Sequence, residues 1–244
     1  MLKSMAKGTG MIGAAEELLW PAERVVSDVG IIYPRSSFLW DEQDVAIPRG
    51  IMDCTNTHMT AGPDYVREVY GIYHTLAVDL NIGVDFVDED QLLVTAALAK
   101  FKVLYLTEPD LPLAGGAALV AWVKSGGTLV TVPGAGQFDE YNEPSAVFST
   151  ALFGGPEAVK PRDITGPTLT TNGTLTAPLP GSFATNGTSC SELGGCTFQA
   201  WGLTTKPSAA KSTGEVLASF DDKAPAIVLN SVGKGHSVHF SFFP

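Results

Sequence analysis

The sequence has few cysteines, few basic residues and no long apolar run, and each shortage argues against a class of protein. Its 244 residues include three cysteines, too few for a disulfide framework. No apolar run reaches the roughly 18–20 residues that a membrane-spanning helix needs. Lysine and arginine total 15 against 26 acids, and the resulting net charge of −11 repels phosphate backbones. We therefore predict no membrane partner and no nucleic-acid partner.

Residues that bind metals and cofactors are equally sparse. The four histidines are dispersed along the chain: His58, His74, His236 and His239. No cysteine–histidine cluster has zinc spacing, and no P-loop or G-x-G-x-x-G fingerprint follows a predicted strand. We predict no metal and no cofactor. Cys54 is predicted to be a non-catalytic thiol. Cys190 and Cys196 bracket a glycine-containing segment, and their spacing leaves open whether they form a disulfide.

Apolar residues are plentiful, at 45% of the chain against 17% charged, which is enough to build a core. Short apolar runs, typical of buried strands, alternate with segments of helical periodicity. The predicted strands are 28–33, 82–87, 102–107 and 128–132. The predicted helices between them are 64–80, 88–100 and 114–125, the last ending at Gly126-Gly127. This alternation predicts parallel strands joined by right-handed crossovers.

The composition divides the chain into an N-terminal segment, 1–27, and a domain, 28–244. A short helix is predicted at 11–20, and the acids Glu16 and Glu17 interrupt the apolar stretch that a signal peptide would need. The compartment stays open. Proline, glycine, threonine and asparagine dominate 156–200, which predicts a β-rich insertion. Further strands are predicted at 196–203, 215–220, 225–231 and 236–242.

Five segments of the sequence occur in an order that characterises one family, although no single segment is diagnostic. The segments are MIGAAEELLWPAE, VGIIYPRSSFLWDEQD, YGIYHTLAVDLNIGVDFVDEDQLL, KVLYLTEPDLPLAGGAALVAWVKSGGTLVTVPGAGQFDEYNEPS and APAIVLNSVGKGHSVHFSFFP. In this order they resemble the trimerisation domain of family 42 β-galactosidases, within the class I glutamine-amidotransferase-like superfamily. The resemblance is good over 28–153, moderate over 215–243 and poor over 156–200.

The resemblance implies an α/β fold: a flavodoxin-like three-layer sandwich with a mainly parallel central sheet and a β-rich insertion and C-terminal part. In the family, this domain follows a catalytic TIM barrel, does no chemistry itself and mediates subunit contact. The implied partners are a second copy of the chain or a preceding TIM-barrel domain, with carbohydrate as a further possibility. No part of the 244 residues has the pattern of a TIM barrel.

Active members of that superfamily keep a cysteine in a tight G-x-C-x-G turn after a strand, where a histidine activates the thiolate. Here Gly134 stands at the corresponding position, and glycine has no side chain that can attack. The superfamily's His-Pro-Glu would fall near 241–243, where neither a histidine nor an acid occurs. We therefore predict no catalytic residue and a non-catalytic role in subunit assembly, or in shaping a neighbouring active site.

The alternative is a small-ligand-binding or hydrolytic enzyme that uses the loops at the carboxyl ends of the strands. The candidate ligand-binding residues on these loops are Arg35, Ser36, Glu108, Gly134, Asp139 and Glu140. An arginine can hold a carboxylate or phosphate with two hydrogen bonds, and paired carboxylates, here with Asp110, suit acid–base work or a cation. The plainer interpretation is a surface loop and a solvated acidic rim. Trp40, Tyr141 and Trp201 either stack on a sugar or fill a partner's pocket, or they are core or hinge residues.

Overall fold

The computed structural model describes residues 2–21, 26–44, 64–153, 171–175, 197–200, 214–220 and 225–242. Its helices are α1 Leu2–Ala14, α2 Glu16–Leu19, α3 Arg35–Asp44, α4 Asp64–Tyr73, α5 Glu89–Leu92, α6 Thr95–Leu98, α7 Leu113–Ser125 and α8 Val147–Phe153. A π-helical stretch, His74–Asp79, continues α4. No helix within these ranges is both long enough and apolar enough to cross a membrane.

The strands of the described ranges form one mixed sheet of nine. They are β1 Val29–Ile32, β2 Val84–Val87, β3 Val103–Leu106, β4 Thr128–Thr131, β5 Thr171–Leu175, β6 Thr197–Ala200, β7 Glu215–Phe220, β8 Pro225–Val232 and β9 Gly235–Phe240. The spatial order is β2-β1-β3-β4-β9-β8-β7-β5-β6. The first five strands in this spatial order, β2-β1-β3-β4-β9, are parallel to one another. With β9 counted as the fifth strand, this is the 2-1-3-4-5 order of flavodoxin-like folds. The predicted α/β class is confirmed.

The other half of the sheet is antiparallel. β8 pairs with β9 through a tight hairpin, β7 pairs with β8, and β5 joins β7 to β6. These strands come from the part of the sequence predicted to be β-rich. Strand β9 is therefore the element that couples the two halves, because it is parallel to β4 on one side and antiparallel to β8 on the other.

Two groups of buried side chains stabilise this sheet. The larger lies between the parallel strands and helices α5–α8, and includes Leu104, Leu119 and Leu129, all 0% exposed. Trp122 connects α7 to α6, because its indole nitrogen donates to the carbonyl of Leu98 over 3.1 Å. The smaller group packs around the antiparallel strands, with Leu217 and Ile227 buried. Each buried leucine or isoleucine contributes about 1.5–3 kcal/mol.

Three local predictions were wrong. Arg35 and Ser36 were predicted to lie on a loop, but α3 begins at Arg35. Pro34 is pre-organised for a first helical turn, and its carbonyl accepts from the backbone N–H of Phe38. The N-terminal helix begins at Leu2 rather than residue 11. The segment 88–100 contains two short helices instead of one, interrupted at Leu93 and Val94.

Several predictions lie outside the described residues. They concern the three cysteines, His58, Trp201 and most of the segment 156–200.

Candidate functional site

The loops that follow β1 to β4 meet at one edge of the sheet, because the carboxyl ends of parallel strands point the same way. Strand β1 lies between β2 and β3, so the chain diverges on either side of it, and such a switch point is where open α/β sheets bind ligands. Six polar side chains at this edge are 0–7% exposed: Ser36, Ser37, Glu89, Thr107, Glu108 and Asp110. We call them the carboxyl-edge cluster. Acids are rarely buried unless they are paired, so their contacts decide what the edge can do.

Arg35 lies at the rim of this cluster and is held by three acids that follow β2, namely Asp88 and the first two residues of α5. One guanidinium nitrogen lies 3.1 Å from Asp88 and 2.8 Å from Asp90, and the other lies 2.9 Å from Asp90. The second nitrogen is also 3.8 Å from Glu89. The hydrogen bond with Asp90 is the main reason that the pKa of Arg35 is raised, and the same bond lowers the pKa of Asp90. Arg35 was predicted to bind an anion, but both of its terminal nitrogens are hydrogen-bonded to acids of the same chain.

Ser36 is likewise hydrogen-bonded to an acid that follows β2, Glu89. Its backbone N–H donates to one carboxylate oxygen of Glu89 and its hydroxyl donates to the other, both over 2.6 Å. The carboxylate therefore sits at the N-terminus of α3, where the helix dipole favours a negative charge. Glu89 was missed as a site residue because an acid in the first turn of a predicted helix is normally solvated, whereas here it is 2% exposed.

Glu108 is a fully buried acid of the cluster. Its side chain is 0% exposed, and neither carboxyl oxygen has a hydrogen-bond partner among the described residues. Burial, followed by the neighbouring carboxylate of Glu89, raises the pKa of Glu108 well above its usual value. The Thr107 hydroxyl beside it also has no partner within the described ranges. Burial therefore favours the protonated form of Glu108.

Asp110 and Ser37 tie α3 to the loop after β3. The Ser37 hydroxyl accepts from the backbone N–H of Asp110 over 2.9 Å. Both side chains are 0% exposed. The prediction of a solvated acidic rim is therefore wrong for Glu108 and Asp110, because the loop after β3 packs against α3 and is buried there.

Gly134 lies in the sharp turn directly after β4. Its φ is +76°, a left-handed conformation that residues with a Cβ adopt at a cost, as nucleophile-bearing turns do. The backbone N–H of Gly136 donates to the carbonyl of Glu108 over 2.9 Å and fixes this turn against the loop after β3. No helix follows the turn directly, because α8 begins only at Val147. The sharp turn of the superfamily is therefore present, but Gly134 carries no nucleophilic side chain and no helix begins directly after the turn.

Asp139 and Glu140 stabilise local structure. One carboxylate oxygen of Asp139 accepts from the backbone N–H groups of Tyr141 and Glu143, over 2.9 and 3.0 Å, and so closes its own loop. Glu140 accepts from the backbone N–H of Leu113 over 2.8 Å, at the first residue of α7. Its backbone carbonyl accepts from the indole of Trp40 over 3.0 Å. Both acids are half-buried and lie on the outside of the carboxyl edge.

Replacing Glu140 with alanine should lower the free energy of unfolding by about 0.5–1 kcal/mol, because the first turn of α7 loses an anionic acceptor. Urea denaturation measures this loss. Glu143→Ala is the matched control, since Glu143 is an exposed acid in the same loop. Equal losses in the two variants would show that the contact between Glu140 and α7 contributes nothing.

The edge therefore brings Arg35, Ser36 and Glu108 together and leaves Asp139 and Glu140 outside. In the part of the chain that the structure describes, no group of three or more His, Cys, Asp or Glu side chains has metal-binding geometry. His239 on β9 is buried, and its Nδ1 lies 2.9 Å from the Thr131 hydroxyl. Tyr141 is 70% exposed, so it is not a core residue.

Comparison with known proteins identifies relatives of the whole domain. The family profile described as "Beta-galactosidase trimerisation domain" matches residues 29–242. The β-galactosidase of Rahnella sp. R3 is similar in structure, with a TM-score of 0.59 and 21% identity over 97% of this chain and 32% of its own. The β-galactosidase of Bacillus circulans sp. alkalophilus has a TM-score of 0.57 and 19% identity over 92% of this chain and 30% of its own.

A third similar structure is the exo-β-1,4-mannosidase Op5Man5 from Opitutaceae bacterium strain TAV5, with a TM-score of 0.53 and 15% identity over 96% of this chain and 34% of its own. At these identities the structural matches establish the shared fold alone. The chain spans about a third of the length of these enzymes. No curated protein matches the sequence.

Proposed function

Because this chain belongs to the family of β-galactosidase trimerisation domains, we propose that it associates with further copies of itself within a glycoside-hydrolase-like protein. The observation that carries the proposal is the family match, which extends over residues 29–242 and so includes both halves of the sheet. In this role the domain would hold subunits together, or position a neighbouring active site, and the glycosidic bond would be cleaved elsewhere in the protein. A preceding TIM-barrel domain is the second partner that we propose.

The contacts at the carboxyl edge support a non-catalytic role. Gly134 offers no nucleophile in the bend after β4. The polar groups of Arg35 and Ser36 are engaged by Asp88, Asp90 and Glu89. A substrate would have to displace these charge-assisted bonds, each of which is stronger than a neutral hydrogen bond.

Co-expression of a tagged and an untagged copy of the 244-residue chain tests the proposal. We expect the untagged copy to co-purify with the tagged one on an affinity column. An unrelated acidic protein of similar size, expressed in place of the untagged copy, controls for retention by the resin. Repeated failure of the untagged copy to co-purify, with both copies soluble and folded, would remove the proposed function.

Ligand binding at the carboxyl edge is a second candidate, and one observation favours it. The carboxyl group of Glu108 and the hydroxyl of Thr107 have no hydrogen-bond partner among the residues described, and a ligand could supply one. A thermal-shift screen with sugars, nucleotides and flavins tests this, since a ligand of the folded state raises the melting temperature. A shift that Glu108→Ala abolishes would support the candidate. No shift with any of the three classes would end it.

A further inference from the structure

Strand β2 lies at one end of the sheet and leaves an aromatic side chain in water. Within the described ranges, no strand pairs with its outer side. Phe86, in the middle of β2, is 46% exposed, although parallel strands are usually covered on both faces. The charged residue of β2, Asp85, is buried on the opposite face and pairs with Lys100 over 2.8 Å. The exposed face of the edge strand is therefore apolar.

Phe86 belongs to a group of rings that share this surface. The ring of Tyr73 lies 5.6 Å from the ring of Phe86, and the ring of Tyr33 lies 6.5 Å from it. Tyr70 lies one helical turn before Tyr73 on α4. The exposed fractions are 46% for Tyr33, 69% for Tyr70, 40% for Tyr73 and 46% for Phe86. We call these four residues the aromatic patch.

The aromatic patch is large enough to form the centre of a protein interface. Its four rings together expose about two complete aromatic side chains, on the order of 400 Å². One partner of a stable interface buries about 800 Å², with aromatic residues enriched at its centre. The patch thus provides about half of the area required. Three further exposed apolar residues, Val78, Leu80 and Ile82, each at least 39% exposed, lie in the chain between α4 and β2.

The charge of the chain indicates which partner fits. With a net charge of −11, two copies repel each other over most of their surface. The aromatic patch consists of three tyrosines and a phenylalanine. Next to it along the chain lie Asp79, 3.5 Å from the imidazole of His74, and Arg35, which is paired with Asp88 and Asp90. A basic partner would bind most favourably to the acidic surfaces of the chain and not to the aromatic patch. A neutral apolar patch on a strongly acidic protein suits a contact with an equally acidic molecule.

We propose that the aromatic patch is the surface through which one copy of this chain contacts another, an inference that rests on the proposed self-association. In a closed ring of three, each contact joins two different surfaces, so the patch of one copy would meet another face of its neighbour. Rings that are half-exposed in the single chain become buried in this contact. Removing them should therefore weaken association more than it weakens folding.

Sedimentation velocity over a range of concentrations tests the patch with the full chain. We expect Phe86→Glu and Tyr70→Glu each to raise the concentration needed for association at least about tenfold, since central aromatic residues dominate interfaces. Tyr70 is the safer position, because at 69% exposure its replacement leaves the fold intact. Tyr141→Glu, at a tyrosine of 70% exposure far along the chain, is the matched control. Circular dichroism confirms that each variant is folded.

The outcomes separate the patch from the proposed function. If the unaltered chain associates and both patch variants associate equally well, the patch is not the interface, while self-association stands. If the unaltered chain stays monomeric at every concentration, the proposed function and this inference fail together. If galactose changes the tyrosine fluorescence saturably, and Tyr73→Glu abolishes the change, the patch is a sugar site and the inference is overturned.

Discussion

Replacing Glu108 with glutamine should stabilise the protein at alkaline pH and leave it nearly unchanged at acidic pH. In the folded state, the pKa of Glu108 lies well above its ordinary value of 4.5, because the side chain is buried beside Glu89 and Asp110. The contribution of Glu108 to the free energy of unfolding is therefore fully present below pH 4.5. It is lost as the pH rises towards the pKa of the folded state. Glutamine stays neutral throughout. At pH 8 we expect a gain on the order of 1–3 kcal/mol.

Urea denaturation between pH 4 and pH 9 measures this gain as the difference between the two unfolding free energies. The difference should grow with pH, since the unaltered chain alone loses stability through this group. Glu143→Gln, at an exposed acid, should give a flat difference over the same range. If Glu108→Gln were destabilising by the same amount at every pH, Glu108 would not be held protonated by burial, and the description of the carboxyl-edge cluster would be wrong.

Gly235→Ala should have a still larger effect, in the opposite direction. Gly235 begins β9 where the hairpin crosses the C-terminal end of α7, and a Cβ there would overlap the backbone carbonyl oxygens of Val123 and Gly127. The neighbouring N–H groups of Lys234 and His236 donate to carbonyls of Lys124 and Gly127, over 3.0 and 3.1 Å, so the backbone cannot easily move away. We expect a loss of about 3 kcal/mol or more, the upper range for overpacking.

Thermal unfolding followed by circular dichroism measures this loss. Gly71→Ala is the matched control, because Gly71 lies on α4 with open space around the position of a Cβ. There alanine should raise stability by about 0.5–1 kcal/mol, since it reduces the freedom of the unfolded chain in a helix. A loss of similar size at both positions would mean that the close approach of Gly235 to α7 is not the cause of the loss.

The parallel half of the fold could be predicted from the sequence because its strands are continuous apolar runs. Val103–Leu106 and Thr128–Thr131, for example, lie within the predicted ranges. The start of α3 could not be predicted, since Pro34 followed by arginine and serine is equally typical of a turn. The order of the strands was also inaccessible from periodicity, because the place of β9 beside β4 depends on contacts between residues more than a hundred positions apart.

The position of Arg35 and Ser36 at the carboxyl edge could be predicted, but the burial of the acids beside them could not. The signal for Arg35 and Ser36 was their position after a strand, and both are there. What the sequence conceals is burial: Glu89 and Glu108 look like surface acids, and the partner of Glu89 comes from a distant element. Ser36 is 53 positions from the carboxylate that it binds. Local pattern carries no information about such pairings, so the internal contacts of Arg35 and Ser36 could not be foreseen.

Sedimentation equilibrium of the unaltered 244-residue chain tests the central claim, self-association, most directly. We predict that the weight-average mass rises with concentration towards three times the 25.6 kDa of one copy. The rise should persist at high salt, because an apolar contact is insensitive to charge screening. A mass that stays at one copy over the whole concentration range would contradict the account.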